Sequence, residues 1–197
     1  MYSRSVSQAN LTIPNLITLS RILLTPLFII FLIQGNYRRA LILFLLAGVS
    51  DLADGLIART WQQKSRLGSY LDPLADKLLM ATSFVTLSIY HQIPSWLTVI
   101  VLSRDVTMAL GVLLFRLVDY HLAIKPTLLG KCTTTFQIAT VLLVLISKIW
   151  PLPRLAIWAF FWITAALTAS SGVHYVYRAL KSVNHQGNGA KEGSGGG

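Results

Sequence analysis

The sequence contains few charged residues, and acidic residues are the scarcest of them. Only 12% of its 197 residues are charged, 54% are hydrophobic, and just seven are Asp or Glu. A soluble domain of this length carries about a quarter charged residues. The shortage excludes an ordinary soluble globular domain and indicates a membrane protein.

Cysteine is nearly absent as well. Cys132 is the only one, which excludes an intrachain disulfide and a thiolate metal cluster. We expect it to be a small, buried side chain. The alternating polarity of a membrane barrel is also missing. The first apolar stretch contains Arg21 and Pro26 and lacks a small-residue cleavage pattern, so it does not resemble a signal peptide.

Long apolar runs fill most of the chain. Each of six stretches is long enough to cross a bilayer, which takes about 20 residues. They are approximately 14–34, 39–59, 68–90, 95–117, 127–149 and 154–178. The predicted fold class is therefore an all-α polytopic membrane protein with six transmembrane helices.

The short connections between these runs predict a single six-helix domain. It would cover residues 13–183, after an N-terminal cytosolic segment at 1–12. Residues 184–197 are Gly-rich, and the last of them resemble an added linker. They predict a flexible tail.

The net charge of +10 is distributed as in a membrane protein. If the N-terminus is cytosolic, ten Lys and Arg lie on the cytosolic side and four on the other. The positive-inside rule then places both termini in the cytosol. No soluble basic face is formed, so we expect contacts with membrane lipids and no nucleic-acid partner. Arg21, Lys77 and Arg104 fall inside predicted spans and should face the protein interior.

Four of the seven acidic residues lie between Ser50 and Lys77. Helical spacing puts them on two stripes, together with small residues. The stripes are Asp51, Asp54, Gly55 and Ala58 on span two, and Gly68, Asp72 and Asp76 on span three. The short link makes these spans antiparallel neighbours. The four carboxylates would therefore meet in one cleft, at the cytosolic ends of spans two and three.

Four carboxylates at close range repel one another unless cations intervene. Mg²⁺ and Mn²⁺ prefer such oxygen ligands, and the lack of His or Cys argues against zinc. Mg²⁺ is often shared with phosphates of a substrate, which favours a phosphate-bearing ligand. Two alternatives are helix caps paired with Lys77, Arg59 and Arg66, and a cation-coupled transporter. A transporter normally places its site at the bilayer midplane.

The spacing Asp51-x2-Asp54-Gly55-x2-Ala58-Arg59-x8-Gly68-x3-Asp72-x3-Asp76 resembles the signature of the CDP-alcohol phosphatidyltransferases. The resemblance implies transfer of a phosphatidyl group from a CDP-linked lipid to an alcohol, with release of CMP at the cytosolic face. The four aspartates would hold two Mg²⁺ or Mn²⁺ ions, and Asp76 would also be the catalytic base. Family members are often dimers, so a homodimer is a further expectation. The positions that match CDP contacts are Gly55, Arg59, Ser65 and Gly68.

Polar residues outside this signature are candidates for substrate contacts. Asn15, Thr18 and Arg21 share a stripe of span one, with Asn15 and Thr18 at the nucleotide and Arg21 at a phosphate. Adjacent residues on a helix do not face each other, so Asp105 should not neutralise Arg104. Arg104 would then need an anion such as the phosphate of the acceptor.

Spans five and six carry further polar residues. Lys131, near the cytosolic mouth, is a third candidate for the acceptor phosphate. Thr134 and Thr135 could simply bond to their own helix. The stripe of Thr164, Thr168, Ser171 and Tyr175 indicates helix packing rather than chemistry.

Two branches of the family fit a phosphate-bearing acceptor. "IPN-x2-T-x2-R" and "LGK-x2-T-x2-Q" are similar to both the phosphatidylglycerophosphate synthases and the eukaryotic-type cardiolipin synthases. "GSYLDPLADK", "SRDV" and "KPT-x3-K" are more similar to the cardiolipin branch. This likeness implies that CDP-diacylglycerol and phosphatidylglycerol give cardiolipin and CMP, and the alternative acceptor is glycerol 3-phosphate. No transit peptide is visible, so a bacterial plasma membrane is expected.

Overall fold

The computed structural model describes residues 13–61, 68–117 and 128–192, with side chains at 19–50, 73–111, 113 and 128–178. Within these ranges the chain forms six α-helices and no strand. They are α1 (Ile13–Ile33), α2 (Tyr37–Trp61), α3 (Gly68–Ile89), α4 (Ser95–Leu117), α5 (Leu128–Ser147) and α6 (Arg154–Glu192).

The six apolar runs of the sequence coincide with these six helices. Most of the predicted ends lie within two residues of the observed ones. The exception is the tail, because α6 continues through Asn184 to Glu192 instead of ending before it. Extending an existing helix costs far less than starting one, because each added residue contributes a hydrogen bond. Low apolar content therefore did not mark the end of this helix.

The turn between α1 and α2 is formed by a glycine in the left-handed conformation and two backbone hydrogen bonds. Gly35 adopts a left-handed φ of 69°, a conformation that glycine reaches without steric cost. The Gly35 N–H donates to the Leu32 carbonyl at 3.0 Å, and the Asn36 N–H donates to the Phe31 carbonyl at 2.9 Å. This Schellman pattern ends α1 and turns the chain directly into α2.

The described helices group into two compact packing units, and the single six-helix domain at residues 13–183 remains a prediction. The first contains α1, α2 and α3 together with Val141–Pro151. In it α1 packs against both α2 and α3, and the rings of Phe28 and Phe44 lie 5.6 Å apart. The second contains α4, α5 as far as Thr140, and α6, with α4 packed against α6.

Every helix exposes large apolar side chains. Leu23 on α1, Val99 on α4 and Leu155 on α6 are 62%, 64% and 82% exposed. Apolar surface of this extent is unusual in water and suits contact with lipid. Among the described residues, Leu128–Ser147 and Arg154–Arg178 are long and apolar enough to cross a membrane, and Leu19–Ile33 is a shorter apolar helix. Crossing by all six helices, and the cytosolic termini, remain predictions.

Candidate active site

Helices α2 and α3 carry the four aspartates of the signature. Asp51 and Asp54 lie on α2, and Asp72 and Asp76 lie on α3. Asp76 is the one member whose side chain is described, so convergence of the four carboxylates remains a prediction. Within the described side chains, no group of three or more Asp, Glu, His or Cys is assembled. The donor set fits Mg²⁺ or Mn²⁺ chemically, since it consists of carboxylate oxygens alone.

The residues expected to contact CDP, apart from Ser65, lie on α1, α2 and α3. Their backbone positions are known, but their side chains lie outside the described residues, as does all of Ser65. Asn15 and Thr18 are on α1, Gly55, Ala58 and Arg59 on α2, and Gly68 opens α3. Because α1 packs against both α2 and α3, the three helices that carry these residues belong to one unit.

Asp76 forms an ion pair with Arg21. The Arg21 Nη1 donates to the Asp76 Oδ1 at 2.6 Å, and the two side chains are 1% and 47% exposed. A short, charge-assisted bond of this kind orients the carboxylate. The sequence prediction placed Arg21 against a substrate phosphate, whereas the structure places it against the proposed base. The sequence contained a signal for this ion pair, because an Arg buried within a membrane span needs an anionic partner.

The unequal burial of the pair has a chemical consequence. Arg21 is almost completely enclosed, so its guanidinium is a fixed element of α1. Asp76 is about half exposed, so its carboxylate remains accessible to a ligand while Arg21 holds the Oδ1. The arrangement suits a carboxylate that must keep one orientation and still meet a substrate.

Arg104 corrects a second expectation. Its Nη1 donates to the Asp105 Oδ1 at 2.8 Å, although adjacent helical residues were expected to point apart. The rule concerns the directions of Cβ atoms, and a long guanidinium can bend back to its neighbour. The Nη2 of Arg104 also donates to the Ser171 Oγ at 3.1 Å. The charge therefore has a carboxylate partner inside the protein, and an external anion is not required to balance it.

Arg104 keeps one buried donor for another partner. Its side chain is nearly enclosed, and its Nε has no hydrogen-bond acceptor among the described residues. Arg21 and Arg104 thus face the interior as predicted, whereas Lys77 is exposed. Lys131, the third candidate for the acceptor phosphate, is exposed on α5.

The polar residues of α5 separate into two faces. Thr134 and Thr135 are exposed and bond to carbonyls of their own helix, at 3.2 and 3.1 Å, as the sequence indicated. Cys132 is exposed too, contrary to the expectation of burial. The buried face begins at Thr133, one residue and about 100° further around the helix.

A column of hydroxyl and amide groups joins α5 to α6. Thr140 and Thr164 share a hydrogen bond of 2.7 Å between their Oγ1 atoms, and the Gln137 Nε2 reaches the Thr168 Oγ1 at 3.4 Å. Thr133 adds a bond of 3.2 Å to the Leu167 carbonyl. The stripe on α6 is therefore a packing surface, as predicted. Its partners on α5 were missed, because the sequence alone favoured the neighbouring threonine face.

Comparison with known proteins decides the family. The sequence model of the CDP-alcohol phosphatidyltransferases matches residues 11–170, a range that includes Arg21, Arg104 and the whole aspartate signature. The chain belongs to the CDP-alcohol phosphatidyltransferase family.

Relatives of the chain fall into the two expected branches of the family. A probable cardiolipin synthase (CMP-forming) of Drosophila melanogaster is 36% identical over 183 residues, covering 84% of the chain and 57% of the relative. The cardiolipin synthase (CMP-forming) of Homo sapiens is 36% identical over 192 residues, covering 87% and 63%. A CDP-diacylglycerol–glycerol-3-phosphate 3-phosphatidyltransferase of Aquifex aeolicus is 34% identical over 128 residues, covering 64% and 71%. The chain thus spans about 57–63% of the length of its fly and human relatives.

Proposed function

We propose that the protein transfers the phosphatidyl group of CDP-diacylglycerol to the hydroxyl of phosphatidylglycerol, forming cardiolipin and CMP. The observation that carries this proposal is the complete aspartate signature on α2 and α3, within a chain whose fly and human relatives are cardiolipin synthases. The choice of phosphatidylglycerol as the acceptor is supported by the similarity to these two relatives.

The reaction needs a base beside the acceptor hydroxyl. Asp76 would take the proton as the hydroxyl oxygen bonds to the phosphatidyl phosphorus, and the bond from that phosphorus to the CMP oxygen would break. Base assistance of this kind is worth about 10²–10⁴-fold in rate. Arg21 is a positioning residue in this scheme, because its fixed guanidinium holds the Oδ1 of Asp76 in place.

Divalent cations complete the proposed chemistry. Asp51, Asp54, Asp72 and Asp76 would hold two Mg²⁺ or Mn²⁺ ions, whose charge would offset that of the diphosphate. We place the CDP moiety against small and polar residues of α1, α2, α3 and the link between α2 and α3. These are Asn15, Thr18, Gly55, Ala58, Arg59, Ser65 and Gly68.

The acceptor phosphate needs cationic partners that the metal site does not use. Lys131 is exposed, and Arg104 retains a buried Nε–H after its bonds to Asp105 and Ser171. These two residues are the proposed contacts. Arg21 would contribute through Asp76 instead of meeting the phosphate alone, which revises the prediction from the sequence.

Glycerol 3-phosphate is the second candidate acceptor. The Aquifex aeolicus relative, named for that substrate, supports it. Both acceptors carry one phosphate and a hydroxyl, so the proposed contacts serve either. The proposed setting is an integral membrane protein with its site at the cytosolic face. A bacterial plasma membrane remains the proposed location, and relatives occur in both bacteria and animals. A homodimer is likewise proposed.

The test compares acceptors directly. The purified chain is incubated with CDP-diacylglycerol and Mg²⁺ or Mn²⁺, with phosphatidylglycerol or glycerol 3-phosphate in parallel. CMP release is measured, and the lipids are resolved by thin-layer chromatography. We expect cardiolipin with phosphatidylglycerol, and loss of CMP release when a chelator is added. Phosphatidylglycerophosphate as the sole product would reassign the acceptor. Absence of CMP release with every alcohol would favour the cation-coupled transporter.

A further inference from the structure

A polar cavity of about 410 Å³ lies beside the turn between α1 and α2. It is lined by Gln34–Asn36, by Tyr37 and Arg38 at the start of α2, and by Lys148 and Ile149 just after α5. All of these residues belong to the first packing unit. Binding sites for small ligands commonly measure about 300–1,000 Å³, so the cavity could accommodate a headgroup.

The lining carries two positive charges and no negative one. Arg38 and Lys148 are both exposed, and none of the lining residues is acidic. The sequence reinforces this, because no Asp or Glu precedes Asp51 and none lies between Asp119 and Glu192. Two like charges around one cavity favour an anion between them. The adjacent start of α2 adds the positive end of a helix dipole.

The cavity is separate from the candidate active site. Arg38 and Asp51 are thirteen residues apart on α2, which corresponds to about 20 Å along the helix. Gln34 lies equally far from Arg21 along α1. The cavity and the aspartate signature therefore occupy opposite ends of the same helices.

The surroundings of the cavity favour a lipid over a soluble anion. Ile33, the last residue of α1, is 53% exposed, and Trp150, two residues after Lys148, is 57% exposed. Exposed Trp is typical of the boundary between headgroups and acyl chains. A phosphate in the cavity would therefore have apolar surface beside it for the chains of a lipid.

We infer that this cavity binds the phosphate of an anionic phospholipid in the leaflet opposite the active site. Arg38 and Lys148 would contact the phosphate oxygens, and the Asn36 amide and Tyr37 hydroxyl offer hydrogen bonds to the rest of the headgroup. The inference requires the helices to cross the membrane, but it does not rest on the transferase activity.

The experiment measures lipid binding to the purified full-length chain by native mass spectrometry. The probe is phosphatidylserine, an anionic lipid that is neither proposed substrate, and phosphatidylcholine, a zwitterionic lipid with no net charge, is the comparison. The double variant Arg38→Gln/Lys148→Gln should bind phosphatidylserine roughly 25-fold more weakly than the original chain, because each of the two cations near a headgroup is worth about fivefold in affinity. Binding of phosphatidylcholine should change little.

A matched variant separates this site from general charge attraction. Arg39→Gln/Arg154→Gln removes the same number of charges from exposed residues that do not line the cavity. It should bind phosphatidylserine as the original chain does. Equal losses in the two double variants, or no loss in the first, would overturn the inference. So would displacement of the lipid by millimolar inorganic phosphate, which would assign the cavity to a soluble anion.

CMP release provides a check on folding. Arg38 lies about 20 Å along α2 from Asp51, and Lys148, just after α5, is seventeen residues from Lys131, so the double variant should retain CMP release. Retained CMP release with weakened phosphatidylserine binding supports the inference even if the proposed acceptor is wrong.

Discussion

At the scale of single residues, Asp76 combines two demands. It is held by a buried guanidinium, yet its carboxylate is about half exposed. A mobile carboxylate would spend little time in the orientation that a proton transfer requires, and a fully enclosed one could not meet a substrate. The pair with Arg21 suits both requirements of the proposed base.

Substitution of Asp76 by Asn should separate chemistry from folding. The amide oxygen can still accept a bond from Arg21, so the midpoint of thermal unfolding in detergent should fall only slightly. The amide cannot take a proton and binds a cation weakly, so CMP release should fall by about 10²–10⁴-fold. Thermal unfolding and CMP release measured on the same preparation check both statements.

Asp105→Asn is the matched control, because Asp105 is also paired with a buried Arg. If loss of such a pair were the whole effect, both variants would lose activity equally. We expect a much smaller loss for Asp105→Asn. Near-normal turnover in Asp76→Asn would contradict the role of base.

The placement of the four aspartates on two helices could be predicted from the sequence, but the ion-pair partner of Asp76 could not. Their spacing is visible along single helices, and the inward direction of Arg21 and Arg104 follows from the cost of a charge in lipid. The pair between Arg21 and Asp76 depends on how α1 packs against α3, which no local pattern contains. The pair between Arg104 and Asp105 depends on a side-chain rotamer.

At the scale of elements, α4 and α6 approach closely at one glycine. A Cβ on Gly111 would lie 2.7 Å from the Tyr175 hydroxyl oxygen and 2.9 Å from a ring carbon. The hydroxyl also donates to the Met108 carbonyl at 3.4 Å. Gly111 therefore provides the space in which the Tyr175 ring lies.

Gly111→Ala should destabilise the protein by about 1–3 kcal/mol, because the added methyl overpacks this contact. Unfolding in detergent measures the change. Gly48→Ala on α2 is the control, since no described atom lies within 4 Å of its Cβ position. It should be neutral or stabilising by about 0.5–1 kcal/mol. Equal destabilisation by the two substitutions would contradict the conclusion that Gly111 provides the space for the Tyr175 ring.

The hydroxyl column between α5 and α6 predicts a smaller effect. Thr140→Val keeps the shape of the side chain but removes its bond to Thr164, so we expect a loss of about 0.6 kcal/mol and at most ~1.7 kcal/mol in the free energy of unfolding. Thr134→Val, at an exposed residue whose hydroxyl bonds to the Gly130 carbonyl of its own helix, should change stability less. Indistinguishable stabilities would show that the column contributes nothing measurable.

The limits of the helices could be predicted from apolar runs, because a bilayer requires spans of similar length. The partners on α5 could not, since Thr133 and Thr134 are both polar and only packing decides which is buried. The end of α6 was missed for a related reason. A helix already formed can continue through residues that would not start one.

At the scale of the whole molecule, the distribution of positive charge predicts its orientation. Ten of the seventeen Lys and Arg would lie on the cytosolic side. The division into two packing units was not predictable from these charges or from the short connections, because it depends on tertiary contacts.

Cys132 makes the membrane orientation testable by thiol labelling of the unmodified sequence, since it is the only cysteine. It is exposed and lies near the start of α5, beside Lys131. A membrane-impermeant maleimide should modify it in inside-out vesicles and not in sealed right-side-out cells. In a Cys132→Ser background, Tyr90→Cys, just beyond α3, should give the reverse pattern. Labelling of both from one side would contradict the six-span topology.

The Arg21–Asp76 pair also bears on how the protein tolerates chelators. A carboxylate that depended on metal alone for charge balance would become a source of repulsion once the metal left. Arg21 is a counterion for Asp76 within the protein, so this position would keep its neutralising partner if the proposed metal ions were removed. Removal of the metal ions by a chelator should therefore leave the protein folded but inactive. Returning the cation should then restore turnover without a refolding step.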